Sequence, residues 1–281
     1  MAGHIHYQNF GVNIRTNTQK YTQKYTQKYS RQALLNAGKI RKGETRWNQF
    51  SETLTKISEE TLHGPLLDFG CGVGHFVLEG LRRDMDIWGV DILPGKIERF
   101  RLLVEFSNCP ALWQQRCMVA GGDELPFAAN SFTALSSWYV FEHIENPAPC
   151  IREMVRVTRP GGIIAIRAQD ARNGWEGHCK IPWIPFLSDH LAAAWIEEFG
   201  ASPEMRHDVY DITQPQVKAI FEELGCTIVK QAQPPTVLIA NHQQLSSEPE
   251  IRSRARQVRQ EFDNGRWQPQ PENLYIFARK L

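Results

Sequence analysis

Residues 66–76, Leu-Leu-Asp-Phe-Gly-Cys-Gly-Val-Gly-His-Phe, hold the most informative chemistry of this chain: Asp68 leads into glycines at 70, 72 and 74, with Cys71 between the first two. Glycines so spaced let a buried strand turn sharply into a helix while the backbone approaches a ligand closely. Asp91 follows 21 residues after Gly70, at the end of a second apolar run and just before Ile92. A carboxylate in that place accepts hydrogen bonds from ribose hydroxyls in nucleoside-binding folds; the plainer alternative is a surface acid opening the loop before Pro94. Two histidines are candidate proton carriers, because imidazole titrates near neutral pH. His143 stands in Glu-His-Ile-Glu-Asn-Pro (142–147), and His178 in an aromatic- and proline-rich stretch, 169–187. Each also has a structural alternative: His143 ordering the start of a helix, His178 packing a loop. His178, Cys179 and Asp170 do not have a metal-ligand spacing, and no metal is expected.

The glycine loop resembles motif I of the class I S-adenosylmethionine (SAM) methyltransferases. A dinucleotide loop normally reads Gly-x-Gly-x-x-Gly, whereas the third glycine here comes one residue sooner and His75 follows it. Residues 120–132, Ala-Gly-Gly-Asp-Glu-Leu-Pro-Phe-Ala-Ala-Asn-Ser-Phe, resemble a segment of the type 11, small-molecule methyltransferases. That family commonly has an acid where Gly121 stands and another where Thr133 stands. The resemblance therefore implies adenine recognition by backbone groups of Gly121 and Gly122 together with Asp123. Residues 136–147, Ser-Ser-Trp-Tyr-Val-Phe-Glu-His-Ile-Glu-Asn-Pro, are similar to the family's fourth-strand motif, which puts Ser137, Trp138 and His143 near the methionine end of the cofactor. Val157-Thr-Arg-Pro-Gly-Gly-Ile-Ile-Ala165 resembles the turn into strand five. Four segments in order over roughly 65–168 imply SAM as cofactor, bound by Asp68, Gly70, Cys71, Gly72, Gly74, Asp91, Ile92, Gly122, Asp123, Ser137 and Trp138, with His143 and His178 as catalytic candidates.

The elements that must hold these residues can be read from periodicity. Apolar runs at 65–69, 87–92, 117–120, 133–137 and 163–167 alternate with helical spacing such as Ile97, Phe100, Val104 and Ile151, Met154, Val155. Asn146-Pro147 is a good helix opening. Another helix over Val217–Leu224 is stopped by Gly225, and strand-like runs follow at 226–230 and 274–279. Alternation of this kind predicts crossover units and a parallel sheet covered on both faces. The expected fold is α/β: a doubly wound, mostly parallel, seven-stranded Rossmann-like methyltransferase sheet, with an N-terminal helical arm and an insertion after strand five. The division expected is a basic arm or lid over 1–60 and a methyltransferase domain over 61–281, its insertion at about 169–212. Within the arm, Thr-Gln-Lys-Tyr occurs three times over 18–29, either as a helix with a Tyr21, Tyr25, Tyr29 stripe or as a disordered simple repeat. Trp47, Phe50, Leu54 and Ile57 predict an amphipathic helix over 44–60.

Composition sets the remaining bounds. The chain has 281 residues, 42 % hydrophobic and 22 % charged, enough for one sizeable globular body. Residues 1–45 carry eight Lys/Arg and one acid, leaving 24 basic and 30 acidic groups in the rest. Such an arm either meets nucleic acid or lies solvated on its own acidic body. Six cysteines without a Cys-x-x-Cys pair predict reduced thiols, and the absence of a long apolar run predicts no membrane span. A soluble, cytoplasmic protein is expected, with nucleic acid an unlikely partner. The expected function is methyl transfer from SAM to a small molecule. A hydroxyl oxygen is favoured by elimination: no Asn/Asp-Pro-Pro-Tyr tetrad for amino groups and no catalytic-cysteine motif is present. The alternatives are an RNA methyltransferase and a non-catalytic SAM-binding scaffold.

Overall fold

The computed structural model describes residues 34–233, 245–266 and 274–281; the tyrosine repeat at 18–29 lies outside them. In chain order the helices are α1 (Ala37–Ser58), α2 (His75–Leu81), α3 (Pro94–Phe106), α4 (Pro147–Val157), α5 (Asp189–Glu198), α6 (Gln214–Glu223) and α7 (Glu248–Asp263). The strands are β1 (Leu66–Phe69), β2 (Ile87–Asp91), β3 (Cys117–Val119), β4 (Phe132–Trp138), β5 (Thr158–Ala168), β6 (Trp175–Glu176), β7 (Ile181–Pro182), β8 (Cys226–Gln231) and β9 (Leu274–Lys280).

Seven strands form one sheet in the order β3-β2-β1-β4-β5-β9-β8. β1 through β5 pair in parallel, and β9 runs antiparallel to both β5 and β8. Every residue of β1 and β4 is buried, as expected for central parallel strands covered on both faces. One apolar layer packs the sheet against α4 and α6, through Phe132, Leu135, Ile151, Met154, Val217 and Phe221. The other packs it against α1, α2 and α3, through Phe50, Leu54, Val77, Phe100 and Val104.

The expected doubly wound sheet is the observed one, and most boundaries fall within two residues of the apolar runs. The N-terminal helix starts seven residues earlier than its apolar face suggested. Asn36 supplies the reason: its side chain accepts from the Gly38 N–H and caps the helix (2.9 Å). Trp47, Phe50 and Leu54 are fully buried and share a cluster with Leu66 and Phe76, so this helix belongs to the core of the sheet. The region after β5 is more ordered than its sequence suggests. It holds the short β6–β7 ribbon and α5, which packs with α7 around Trp183, Trp195, Ile251 and Val258.

Candidate active site

The carboxyl ends of β1, β2, β3 and β4 lie side by side on one edge of the sheet, which places the glycine loop, Asp91, Gly122 and Ser137–Trp138 along a single crevice. This is where open α/β sheets take ligands. Gly70, Gly72 and Gly74 all have positive φ (74°, 56° and 75°), but space separates their roles. A Cβ on Gly70 would lie 2.2 Å from Val140 Cγ2, and one on Gly74 would lie 2.3 Å from Phe100 Cδ2. A Cβ on Gly72 would meet nothing within 4 Å. Two of the three glycines thus permit packing of the fold, and the middle one faces open space.

Asp91 closes the loop. Its Oδ2 accepts from the Gly72 N–H (2.8 Å) and its Oδ1 from the Leu93 N–H (2.9 Å). Burial raises its carboxyl pKa, against these two bonds. Each oxygen keeps a further lone pair for a ligand donor. Ile92, next to it, is 53 % exposed: an apolar side chain laid open at the crevice. Asp68 is buried and accepts from Ser136 Oγ (2.8 Å); burial pushes its pKa up to about 7. Cys71 is a buried free thiol, pushed well up by its contact with Cys117 and by burial. Gly122 lies where a Cβ would press on Phe69 (2.7 Å) and Cys150 (2.9 Å), while Asp123 is exposed at the end of the same loop. Ser137 and Trp138 are buried, with Oγ and Nε1 unpartnered.

The two candidate histidines, 35 residues apart in sequence, come together. Their rings lie edge to face with centroids 5.1 Å apart. His143 sits in the short turn Phe141–His143 and bonds through Nδ1 to the Asp208 carbonyl (2.8 Å); burial lowers its pKa. His178 Nδ1 bonds Glu176 Oε1 (2.9 Å), and the other oxygen of Glu176 accepts from the Cys179 N–H (2.6 Å). The bond to Glu176 raises the His178 pKa despite partial burial. For Glu176, burial works upward, but His178 and the Cys179 N–H prevail and hold it below the usual range. An imidazole whose Nδ1 is held by a carboxylate presents Nε2 as the free nitrogen. Beside the pair, Glu142 is 4 % exposed with Oε2 unpartnered, and burial pushes its pKa up to about 7. A small cavity there is lined by Glu142, Gln169, Glu176, Arg206 and Tyr210, among others. Asp170 is engaged elsewhere, with Arg172 and the Gln214 N–H.

Sequence reasoning did not single out Glu176 or Glu142. Glu176 had a signal in its spacing two residues before His178; Glu142 had none beyond adjacency to His143, since its significance lies in burial without a partner. The insertion is braced by Asp211, which accepts from Trp183 Nε1 (3.2 Å), from the Phe186 N–H and from Arg206.

Comparison with known proteins agrees with this geometry. Residues 67–166 match a family model described as a methyltransferase domain. An uncharacterized methyltransferase of Mycobacterium sp. (strain JLS) is 35 % identical over 115 residues, which cover 40 % of this chain and 42 % of that protein. A malonyl-[acyl-carrier protein] O-methyltransferase of Halorhodospira halophila is 25 % identical over 189 residues, 63 % of this chain and 62 % of its own length. The chain thus matches less than half of the first relative and under two thirds of the second. The PH0226 protein of Pyrococcus horikoshii has the same fold, with a TM-score of 0.53 at 14 % identity over 85 % of this chain and 91 % of that one. Among the described residues, no helix is long and apolar enough to cross a membrane.

Proposed function

We propose that this chain, whose residues 67–166 match a methyltransferase domain, is a class I SAM-dependent methyltransferase that transfers a methyl group from SAM to the hydroxyl oxygen of a small molecule in the cytoplasm. The observation that carries the reading is the Gly72–Asp91 closure: an open glycine turn tied to an acid at the end of the neighbouring strand. The crevice fits the cofactor. Asp91 has lone pairs for ribose hydroxyls, exposed Ile92 offers an apolar surface to adenine, and the loop of Gly122 and Asp123 borders the same edge. Asp68 with the 70–74 turn, Cys71 included, and Ser137 with Trp138 lie toward the methionine end. Bound there, SAM supplies an electrophilic methyl group on a sulfonium.

The acceptor side rests on His178 and His143. A hydroxyl attacking in line must lose its proton, and His178, oriented by Glu176, is the group we assign to receive it at Nε2. His143, at 5.1 Å between ring centroids, borders the same space and bears a lowered pKa, which keeps it neutral near pH 7. The O-methyltransferase relative is named for malonyl-[acyl-carrier protein], consistent with transfer to oxygen.

The test is calorimetric titration of the whole protein with SAM and with S-adenosylhomocysteine, followed by mass spectrometry of a metabolite panel for a 14 Da gain (one CH₂). Binding of both nucleosides together with transfer that His178→Asn removes supports the proposal. Absence of nucleoside binding refutes it, and binding without transfer to any acceptor leaves the scaffold reading in its place.

A further inference from the structure

Two guanidinium groups share the aromatic rings at the carboxyl ends of β4 and β5. Arg46 reaches over from α1, with its guanidinium carbon 6.0 Å from the Trp138 ring and 5.5 Å from the Tyr139 ring. Arg167 stands opposite Trp138 in the β4–β5 register, 5.7 Å from Trp138, 5.9 Å from Tyr139 and 5.6 Å from Tyr275. Its one hydrogen-bond partner of note is the neutral side chain of Gln49 (2.8 Å). Neither arginine forms an ion pair with a described residue. Asp68 and Glu142 feel the Arg46 charge, but burial pushes both up to about 7, so neither is a full counter-ion. Among the buried polar atoms left without a partner here are two donors, Arg167 Nε and Trp138 Nε1, beside the hydroxyls of Ser137 and Tyr275.

Both cations flank the same two aromatic rings, and buried donors without acceptors are costly. An anion at these rings would accept from them. A guanidinium matches a carboxylate in shape and bonds it through two parallel N–H groups. We propose that Arg46 and Arg167, on the platform of Trp138 and Tyr139, form a carboxylate-binding site at the mouth of the crevice. The inference rests on the methyltransferase reading, which brings two carboxylate sources to this place: the methionine moiety of SAM, and an acidic acceptor. The crevice otherwise presents the carboxylate of Asp91, which suits hydroxyls but not a second carboxylate. A cationic site is therefore what a zwitterionic ligand would still require.

The experiment titrates the full-length protein, and its Arg46→Gln and Arg167→Gln variants, with SAM, decarboxylated SAM and 5′-methylthioadenosine. If the cofactor is the source, the wild type prefers SAM to its decarboxylated form by about tenfold or more. Both variants then lose that preference while binding decarboxylated SAM as before, which also reports that they fold. If the acceptor is the source, SAM affinity is unchanged in the variants. The S-adenosylhomocysteine-bound wild type then binds members of a carboxylic-acid panel (acetate, benzoate, succinate) that Arg46→Gln no longer binds. The proposal is overturned if the variants keep the full SAM preference and also bind every acid that the wild type binds, or if the wild type distinguishes neither SAM from its decarboxylated form nor any acid from buffer. Failure of the wild type to bind any nucleoside instead sinks the methyltransferase reading, and this site with it.

Discussion

The three glycines of the 70–74 turn share a positive φ but differ in what a methyl group would strike, and this separates stability from binding. Gly70→Ala and Gly74→Ala combine a left-handed backbone with contacts of 2.2 Å to Val140 and 2.3 Å to Phe100. Each is expected to cost about 2–4 kcal/mol, from the left-handed conformation and from overpacking. Gly72→Ala carries only the backbone term, about 1–2 kcal/mol, and its methyl meets no atom within 4 Å, on the turn that would face the cofactor. Denaturant melts should therefore rank Gly72→Ala as the mildest, while titration should rank it severe for SAM. A second prediction concerns protons. Glu176 raises the His178 pKa, and a base must be neutral, so transfer should rise with pH through a limb above 6.5. Glu176→Gln should shift that limb to lower pH; an unmoved profile removes His178 as base. The stability term has the opposite sense. A raised imidazole pKa stabilises fully below about 6.5 and fades as pH rises through the folded value. Asp68 destabilises over a related range, because its folded pKa of about 7 lies above its ordinary 3.8. Asp68→Asn keeps an acceptor for Ser136 and should raise Tm at pH 8 while changing little at pH 4.

At the scale of elements, α1 shows how a helix read as an arm becomes part of the core. Phe50 is 1 % exposed and packs edge-on to Phe76 at 5.6 Å. Phe50→Ala should cost about 3–5 kcal/mol, measurable by urea unfolding, and should loosen α1 from the glycine-loop helix; a loss below 1 kcal/mol would mean that α1 is a detachable arm. The strands were legible because parallel central strands carry continuous apolar runs, as at Ile163–Ile166, and the helices because their apolar positions repeat. What escaped has physical causes. The first turns of α1 are polar, so only its cap at Asn36 marks them. α7 buries Ile251, Ala255 and Val258 along one narrow stripe; its opening Ser247-x-x-Glu250 box was the usable signal. The site divides similarly. Glycine spacing and Asp91 could be read because backbone constraints write themselves locally. The His143–His178 contact joins segments 35 residues apart, and the burial that leaves Glu142 unpaired is likewise tertiary; the Glu176 clamp is local, two residues from His178, and was signalled by spacing alone.

For the whole molecule, the question is whether one crevice serves cofactor and acceptor together. The sheet edge carries two chemically distinct halves: acids at Asp68 and Asp91 near the glycine turn, and the Glu176–His178 pair with His143 beyond β4, braced by the insertion. Ligand linkage tests the first half without knowing the acceptor. A nucleoside bound only by the folded chain at about 100 times its Kd stabilises it by about 2.7 kcal/mol. S-adenosylhomocysteine should therefore raise Tm by several degrees in the wild type. Asp91→Ala removes the ribose acceptor and the tie to Gly72, and should abolish the shift. His178→Asn should retain the full shift, because its role begins with the acceptor. If His178→Asn also lost it, the two halves would be one binding unit and the assignment of His178 to proton transfer would fall. If Asp91→Ala kept it, the nucleoside would not lie on this edge of the sheet, and the glycine turn would be an element of the fold alone.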